Sequence, residues 1–308
     1  MSSDRTAPPA VVVVGDIMAD VAVHRAGPVA LESDTDCEIA LAGGGSAANL
    51  AAHLAGLGIA TTLVGTVGDD QLGSIQLADL TTRGVQIRVR ILNGVTTGMV
   101  VALVGQDGRR SMLTSRGAGS LLSPDHLGSD LFRPGRHLHL SGYVLLDERS
   151  RAAGLAALER ARRASMTVSV DASSLAPLAR LGGGGFRSLT AGASVLFTNE
   201  AEAGILTGAR SWEEALDALL LDYQQVVLKR GESGAVWASG QERISLPATS
   251  AVARDTTGAG DALAAGWLAG WLRGQDPAVI LGEALGLAAT VLSWPGGRPL
   301  LRAVPGVA

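Results

Sequence analysis

Short apolar runs that alternate with longer helical patterns constrain the fold of this 308-residue chain most strongly. The first run is four valines at residues 11–14, and Gly15-Asp16 follows it. An unbroken run of β-branched residues predicts a strand that is buried on both faces, as in a parallel sheet. Further strands are predicted at residues 61–67, 137–140, 167–171, 195–198, 225–229 and 235–238.

Helical patterns separate most of these strands. Ser46 is expected to cap the first helix, and Gly58 to follow its end. Four consecutive glycines predict a flexible loop at residues 181–186. Alternating strands and helices predict an α/β fold with a mainly parallel sheet that is covered on both faces. The helices are predicted at residues 46–57, 71–82, 149–164, 201–206, 212–223, 262–273 and 277–292.

Two regions, residues 21–41 and 87–116, depart from this alternation because they contain strand-like runs without helices. Residues 106–109 are predicted to form the turn of a hairpin. We expect these strands to leave the main sheet and to form a small flap. The chain shows neither an internal repeat nor a clear linker, so residues 10–304 are predicted to form a single domain.

The composition argues against several classes of protein. Hydrophobic residues make up 47% of the chain, and a formal net charge of −4 argues against a nucleic-acid-binding protein. The polar N-terminus and the interrupted apolar stretches predict neither a signal peptide nor a membrane span. A single cysteine, Cys37, allows no intrachain disulfide, which fits the expected cytoplasmic location.

The stretch DTTGAGD at residues 255–261 carries the strongest functional signal. It lies between a β-like run at residues 243–252 and an apolar helical pattern. Small residues at a helix start leave backbone N–H groups free, and these donors and the helix dipole favour an anion. Asp261 would repel a phosphate there, unless its task is to take a proton from the group that attacks that phosphate.

A second glycine-rich stretch precedes the first helix. Gly43, Gly44 and Gly45 permit the close approach of a ligand, and the Asn49 amide suits a hydroxylated ligand. A tight turn before a capped helix explains the same residues. The stretch also matches the dinucleotide pattern G-x-G-x-x-A, although the strand before it and the acidic residues after it fit that pattern poorly.

Polar side chains at the ends of predicted strands are further candidates, because ligands of parallel sheets bind beyond the carboxyl ends of the strands. Asp16 and Asp20 suit sugar hydroxyls, or turns in which the local backbone satisfies them. Asn199 and Glu202 suit either magnesium-bound water or an ordinary helix N-terminus. Lys229 begins the turn KRGESG, which suits a nucleotide site or a plain β-turn.

Together and in this order, these motifs resemble the ribokinase-like (PfkB) carbohydrate kinase family. The resemblance runs from about residue 11 to residue 299. It implies an α/β ribokinase-like three-layer sandwich with a central, mainly parallel sheet and a small β-sheet lid formed within residues 21–41 and 87–116. The motifs are GGSAAN at 44–49, GTVGDDQLG at 65–73, NEAE at 199–202, KRGESG at 229–234 and DTTGAGD at 255–261.

The resemblance also implies a role for each matched position. Asp261 is expected to deprotonate the acceptor hydroxyl, in front of an anion hole formed by the N–H groups of Gly258, Ala259 and Gly260. Glu202 is expected to hold magnesium through water, and Asp255 to hold a potassium ion. The expected substrate residues are Asp16, Asp20, Gly44, Gly45, Asn49 and Arg116, and the expected nucleotide residues are Asn199, Lys229, Gly231, Gly234 and Thr256.

We therefore expect a carbohydrate kinase that uses ATP and Mg²⁺, and K⁺ as a further ion, to phosphorylate a hydroxymethyl group of a sugar or sugar-like substrate. A nucleoside kinase of the same family, a non-catalytic nucleotide- or sugar-binding regulator and a dinucleotide-dependent oxidoreductase are the alternatives. The expected partner is a small-molecule sugar or nucleoside, without a nucleic acid or a membrane. The resemblance further implies a homodimer that is formed through the lid.

Overall fold

A computed structural model describes residues 10–25, 27–105, 110–251, 255–293 and 296–298. The helices are α1 (Ser46–Gly56), α2 (Gln71–Thr82), α3 (Tyr143–Leu146), α4 (Arg151–Arg163), α5 (Leu175–Leu181), α6 (Gly183–Thr190), α7 (Glu200–Thr207), α8 (Trp212–Leu219), α9 (Ala259–Leu272) and α10 (Pro277–Leu292). The strands are β1 (Ala10–Val14), β2 (Met18–Arg25), β3 (Cys37–Gly44), β4 (Ala60–Gly68), β5 (Gln86–Leu92), β6 (Gly98–Val104), β7 (Arg110–Ser115), β8 (His137–Ser141), β9 (Thr167–Asp171), β10 (Val195–Asn199), β11 (Gln225–Lys229), β12 (Ala235–Ser239) and β13 (Glu242–Leu246).

Nine strands form a large sheet in the order β13-β12-β11-β10-β9-β8-β1-β4-β5. Seven of them are parallel, and β12 and β13 add to one edge in antiparallel pairing. The valines of β1 alternate between two hydrophobic cores. Val11 and Val13 pack with α1, α9 and α10, whereas Val12 and Val14 pack with the layer that contains α4 and α7. This arrangement confirms the predicted three-layer α/β sandwich.

Four strands form a small separate sheet in the order β3-β2-β6-β7. β2 pairs antiparallel with β3 and parallel with β6, and β6 pairs antiparallel with β7. The predicted pairing of the last two strands is therefore present, while the predicted turn at residues 106–109 lies outside the described residues. The prediction that the strands within residues 21–41 and 87–116 leave the main sheet is wrong for β5. Although it falls within residues 87–116, it pairs in parallel with β4 at the edge of the large sheet.

Three other local predictions are wrong for identifiable reasons. Residues 183–190 form α6 rather than a loop. Glycine is needed at the start of this helix because Gly183 packs closely on α7, where a Cβ would lie 2.1 Å from the Ile205 carbonyl oxygen. Gly45, with φ of 88°, caps α1 in place of Ser46. The β-like run that begins near Arg243 ends at Leu246, so β13 is shorter than the predicted strand.

The register of the parallel strands brings the candidate side chains to one edge of the large sheet. Val14 is paired with Leu140, Ser141 with Asp171, and Asn199 with Lys229. Since the carboxyl ends of parallel strands meet at the same edge, the residues that follow β1, β8, β9, β10 and β11 all face one region. The N-termini of α1 and α9 meet this same region.

Candidate active site

Asp261 lies in the first turn of α9, where the local backbone depends on glycine. Gly258 caps the helix with φ of 78°, in the left-handed region that favours glycine. A Cβ at Gly258 would lie 2.5 Å from the Gly297 Cα, so two backbone segments touch there. The first N–H groups of a helix have no partner within it, and those of Ala259 and Gly260 make no other hydrogen bond in the described part of the chain. They form a site for an anion beside the Asp261 carboxylate.

Helix α1 supplies two donors to this carboxylate. The Ser46 Oγ donates a hydrogen bond to Oδ1 of Asp261 at 2.7 Å, and the Asn49 Nδ2 donates to Oδ2 at 2.9 Å. Burial raises the pKa of Asp261 to about 7, against the effect of these two hydrogen bonds, and the negative charge of Asp171 raises it further. Asp261 is therefore a base that is half-ionised near neutral pH.

Asp16 and Asp20 lie next to this carboxylate. Asp16 accepts hydrogen bonds from the Ser46 backbone N–H and from the Ser141 Oγ, both at 3.0 Å. Burial and the charges of Asp261 and Asp16 raise the pKa of Asp20 to about 7. A Cβ at Gly44 would lie 2.1 Å from an Asp20 carboxylate oxygen, which explains the glycine at this position. Three carboxylates thus share a largely buried space, and the Asn49 Oδ1 at its wall is buried without a hydrogen-bond donor among the described residues.

A second charged group lies at the ends of β9, β10 and β11. The Lys229 Nζ donates to Asp171 at 2.8 Å, and a Cβ built at Gly260 would lie 3.4 Å from the same ammonium. Burial alone would lower the pKa of Lys229, but Asp171 and Glu202 raise it above its ordinary value. Burial also raises the pKa of the Glu202 carboxyl, while Lys229 opposes that change. Lys229 therefore stays charged beside the start of α9.

Asn199 and Glu202 form a reciprocal cap at the start of α7. The Asn199 Oδ1 accepts from the Glu202 N–H at 2.8 Å, and Glu202 Oε2 accepts from the Asn199 N–H at 3.0 Å. The helix-cap interpretation is thus correct, and the magnesium role remains a prediction beside it. The donor chemistry fits a hard divalent cation, since Asp171 and Glu202 are buried carboxylates that share one ammonium. The described residues contain no cluster of three or more metal-ligating side chains, so water and phosphate would complete any such site.

The remaining predicted nucleotide and cation residues lie on nearby turns. Gly231 and Gly234 have φ of 55° and 90° in the turn between β11 and β12, and Thr256 is exposed before the α9 cap. The Asp255 carboxylate accepts from the N–H groups of Thr257 at 2.8 Å and Gly296 at 2.9 Å. Asp255 therefore ties the loop before α9 to residues 296–298. Its potassium role and the nucleotide roles of the other three residues remain predictions.

Arg116 lies at the far side of the acceptor region, with its guanidinium 4.2 Å from the centroid of the Tyr143 ring. A small cavity joins it to Asp16 and Asp147. A larger cleft of about 510 Å³ is also lined by Arg116 and Asp147. The structure thus places Arg116 within reach of a ligand that contacts Asp16.

Three residues of this region were not among the sequence candidates. Ser46 was expected only as a helix cap, and Asp171 only as the last residue of a strand. The carboxyl end of a parallel strand, which made Asp16 a candidate, is a signal that could have identified Asp171 as well. Arg298 is fully buried, bridges Gly43 in antiparallel pairing, and binds Asp79 at 2.5 Å and Gln76 at 2.9 Å. No sequence motif marks Arg298, because its partners lie more than two hundred residues away.

The large, mainly parallel sheet with helices on both faces and the separate small sheet define the ribokinase-like fold. Comparison with known proteins identifies the family, since the description "pfkB family carbohydrate kinase" matches residues 9–302. The chain belongs to the pfkB family of carbohydrate kinases. It is therefore an ATP-dependent sugar phosphotransferase, as the sequence motifs predicted, and the kinase family rules against the oxidoreductase alternative.

Individual relatives agree with this assignment. An ATP-dependent ribose-1-phosphate kinase from Halopiger xanaduensis is 35% identical over 76% of this chain and 75% of its own length. The structure of a probable sugar kinase from Rhizobium etli CFN 42 has 27% identity and a TM-score of 0.86, and covers 95% of each chain. The adenosine kinase structure from Sinorhizobium meliloti has 27% identity and a TM-score of 0.86, and covers 96% of this chain and 97% of its own. None of the described helices is long and apolar enough to cross a membrane.

Proposed function

We propose that this kinase transfers the γ-phosphoryl group of ATP to a hydroxymethyl group of a sugar or nucleoside, with Asp261 as the general base. One observation carries the proposal. Asp261 has a pKa of about 7, lies beside free N–H groups at the start of α9, and is oriented by Ser46 and Asn49. A base with a pKa near the working pH combines a useful ionised fraction with a useful driving force for proton transfer.

In this mechanism, the ionised Asp261 accepts the proton of the acceptor hydroxyl as its oxygen attacks the phosphoryl group. The N–H groups of Gly258, Ala259 and Gly260 stabilise the charge on the phosphoryl oxygens. ATP supplies that phosphoryl group. The Lys229 ammonium, which lies beside Gly260, adds a fixed positive charge at the same end of the site.

Asp16, Asp20 and Asn49 would hold the acceptor. Carboxylates accept hydrogen bonds from neighbouring hydroxyls of a sugar ring, and the buried Asn49 Oδ1 offers one further acceptor. Gly44 and Gly45 line the same space without side chains, which leaves room for the ring. Binding would offset the repulsion among the three carboxylates, because each hydroxyl donates to one of them.

Asp171 and Glu202 would hold magnesium through water, and Asn199, Gly231, Gly234 and Thr256 would border the nucleotide. Mg²⁺ retains several of its waters and takes few protein ligands when phosphates are present, which suits this pair of carboxylates. The metal would neutralise phosphate charge. A potassium ion at Asp255 belongs to the same proposal, as does a cytoplasmic location.

The test of the mechanism is Asp261→Asn with an ADP-release assay across pentoses, hexoses, sugar phosphates and nucleosides. We expect turnover to fall by at least about two orders of magnitude, while far-UV circular dichroism stays unchanged. Asp217→Asn is the matched control, since Asp217 is an exposed carboxylate on α8 that pairs with Arg243. Near-normal turnover by Asp261→Asn would sink the mechanism. Nucleotide binding without ADP release from any acceptor would instead favour a non-catalytic regulator.

We also propose that the small sheet acts as a lid and forms a homodimer. Leu41, Val21, Val101 and Leu113 are paired side by side across its four strands, and the two outer residues are 43% and 58% exposed. Adjacent Asp20 points to the opposite face, toward the active site, so this apolar row faces outward. Light scattering should show a dimer for the native protein and a monomer for Leu41→Glu with Leu113→Glu. A monomeric native protein would contradict the proposal.

A further inference from the structure

An arginine-rich cleft adjoins the acceptor region. It has a volume of about 510 Å³, and its lining includes four arginines from three segments of the chain. Arg116 precedes a short turn after β7, Arg149 lies in the loop after α3, Arg151 begins α4, and Arg180 lies in α5. Only two acidic residues, Asp147 and Glu148, line the same cleft. In a protein of net charge −4, the cleft is a local concentration of positive charge.

Three of the four guanidinium groups have no carboxylate partner among the described residues. Arg149 is paired with Asp147 at 3.2 Å. Arg116 lies over the Tyr143 ring, and Arg151 donates through Nε to the Leu145 carbonyl at 2.8 Å, which leaves its two terminal nitrogens free. Arg180 makes no ion pair or side-chain hydrogen bond with the residues that the structure describes. Guanidinium groups that converge without carboxylates are suited to an external anion.

The cleft is continuous with the place where an acceptor would lie. A smaller cavity is lined by Asp16, Arg116 and Asp147, and the last two residues also line the cleft. A sugar that places its hydroxymethyl group at Asp261 and its ring hydroxyls at Asp16 therefore has its opposite end directed at Arg116. An anionic substituent at that end would meet the arginines.

We propose that the acceptor is a phosphorylated sugar, whose phosphate is held in this cleft by Arg116, Arg151 and Arg180. The inference rests on the proposed function, and it adds the substrate class. A phosphate offers several oxygens to the planar fork of each guanidinium, and it carries enough charge to balance more than one of them. A neutral sugar or nucleoside would leave the same arginines without an anion.

Ribose 1-phosphate and ribose are the matched probes, since the furanose form of ribose carries the same ring and hydroxymethyl group without the phosphate. We expect the native enzyme to show kcat/KM at least about a hundred-fold higher for ribose 1-phosphate. Arg151→Gln and Arg180→Gln should each raise KM for ribose 1-phosphate by roughly ten-fold, the effect of one lost charged hydrogen bond, while kcat changes by less than about three-fold. KM for ribose should not change.

Two control variants separate this role from a structural one. Arg162→Gln removes an exposed arginine from the same helix as Arg151 and should leave every constant unchanged. Arg180→Lys keeps the positive charge without the planar fork and should recover part of the affinity. Inorganic phosphate should inhibit the native enzyme competitively against ribose 1-phosphate, and Arg180→Gln should weaken that inhibition.

Equal kcat/KM for the two probes, or a rise in KM that is the same for both, would overturn the phosphate assignment. A higher kcat/KM for a sugar acid such as gluconate would overturn it in favour of a carboxylated acceptor. Turnover of neutral acceptors alone, unaffected by the arginine variants, would refute this inference and leave the proposed function intact. Absence of ADP release from every acceptor would refute both.

Discussion

Two groups of carboxylates lie at the same edge of the large sheet, and their negative charges are stabilised in different ways. The acceptor carboxylates are Asp16, Asp20 and Asp261. Asp16 and Asp261 accept hydrogen bonds from neutral donors of Ser46 and Asn49, and burial raises the pKa of Asp20 and of Asp261 to about 7. The paired carboxylates, Asp171 and Glu202, share the Lys229 ammonium.

The difference separates two chemical tasks at one edge of the sheet, on strands that are far apart in the sequence. The pKa of the carboxylate that must accept a proton stays near neutrality, because burial outweighs the effects of its hydrogen bonds and of the Lys229 charge. Carboxylates that must keep a fixed charge have a cation next to them. Four variants would break or sharpen this contrast.

The largest effect is expected from Lys229→Met. It leaves the buried Asp171 and Glu202 without their cation, and loss of one partner of such a pair typically costs about 3–5 kcal/mol. Urea unfolding should show this loss, and ADP release should fall with it because the charge beside Gly260 is gone. Lys229→Arg keeps the charge and should retain most of the stability. An unchanged unfolding midpoint for Lys229→Met would show that Lys229 does not stabilise the charges of Asp171 and Glu202.

Asp261→Asn should raise thermal stability in a pH-dependent way. The folded pKa is about 7 and the ordinary pKa of an aspartate is 3.8, so the native state loses stability as pH rises from about 4 to 7, where only the folded form retains the proton. The variant has no such loss. Its Tm should exceed the native value by a few degrees at pH 8 and match it only below about pH 4, as measured by calorimetry. A constant difference, as expected for the exposed control Asp217→Asn, would contradict the raised pKa.

Asp171→Asn tests whether the two groups of carboxylates are electrostatically coupled. Asp171 raises the pKa of Asp261 and holds Lys229, so its loss should lower that pKa. The acid limb of the kcat/KM profile, expected near pH 7 in the native enzyme, should move down by about one pH unit. Measurement from pH 5 to 9 with a saturating nucleotide checks this outcome. If the limb stays in place, the two groups of carboxylates act independently.

Ser46→Ala should have the smallest effect. The hydroxyl stabilises the ionised form of Asp261, so loss of a hydrogen bond of about 1 kcal/mol should raise its pKa and lower kcat/KM at pH 7 by roughly three-fold. The loss should shrink at pH 9, where Asp261 is ionised in both proteins. Ser46→Thr keeps a hydroxyl and serves as the control. A loss that is the same at both pH values would mean that Ser46 positions the carboxylate without changing its pKa.

Much of the large sheet could be predicted because its strands are buried on both faces. β9 and β11 have the predicted bounds, as do α2 and α10. β5 could not be assigned, because an edge strand and a strand of a separate sheet have similar alternating patterns. α6 was missed because glycine is unfavourable in a helix unless close packing requires it, and only the tertiary contact with Ile205 shows that requirement.

The candidate site was likewise predictable only where a local motif marks its residues. Asp261 and Asn49 were predicted from local motifs, and the structure places them 2.9 Å apart across 212 residues of sequence. The arginine cleft was not predicted, apart from Arg116, because it combines residues from three segments with no shared motif. Contacts of this kind depend on the path of the whole chain, which no short pattern specifies.

The antiparallel bridge between Gly43 and Arg298 has a consequence for the order of folding. The end of β3, which leads into α1, receives its last backbone partner only after nearly the entire kinase domain has been synthesised, although it belongs to the first fifty residues. Gly258 likewise rests on Gly297. A translation product that stops after α10 would carry both catalytic helices and lack their final support. Incomplete chains are therefore expected to be inactive, so that ATP is consumed only by molecules that have finished folding.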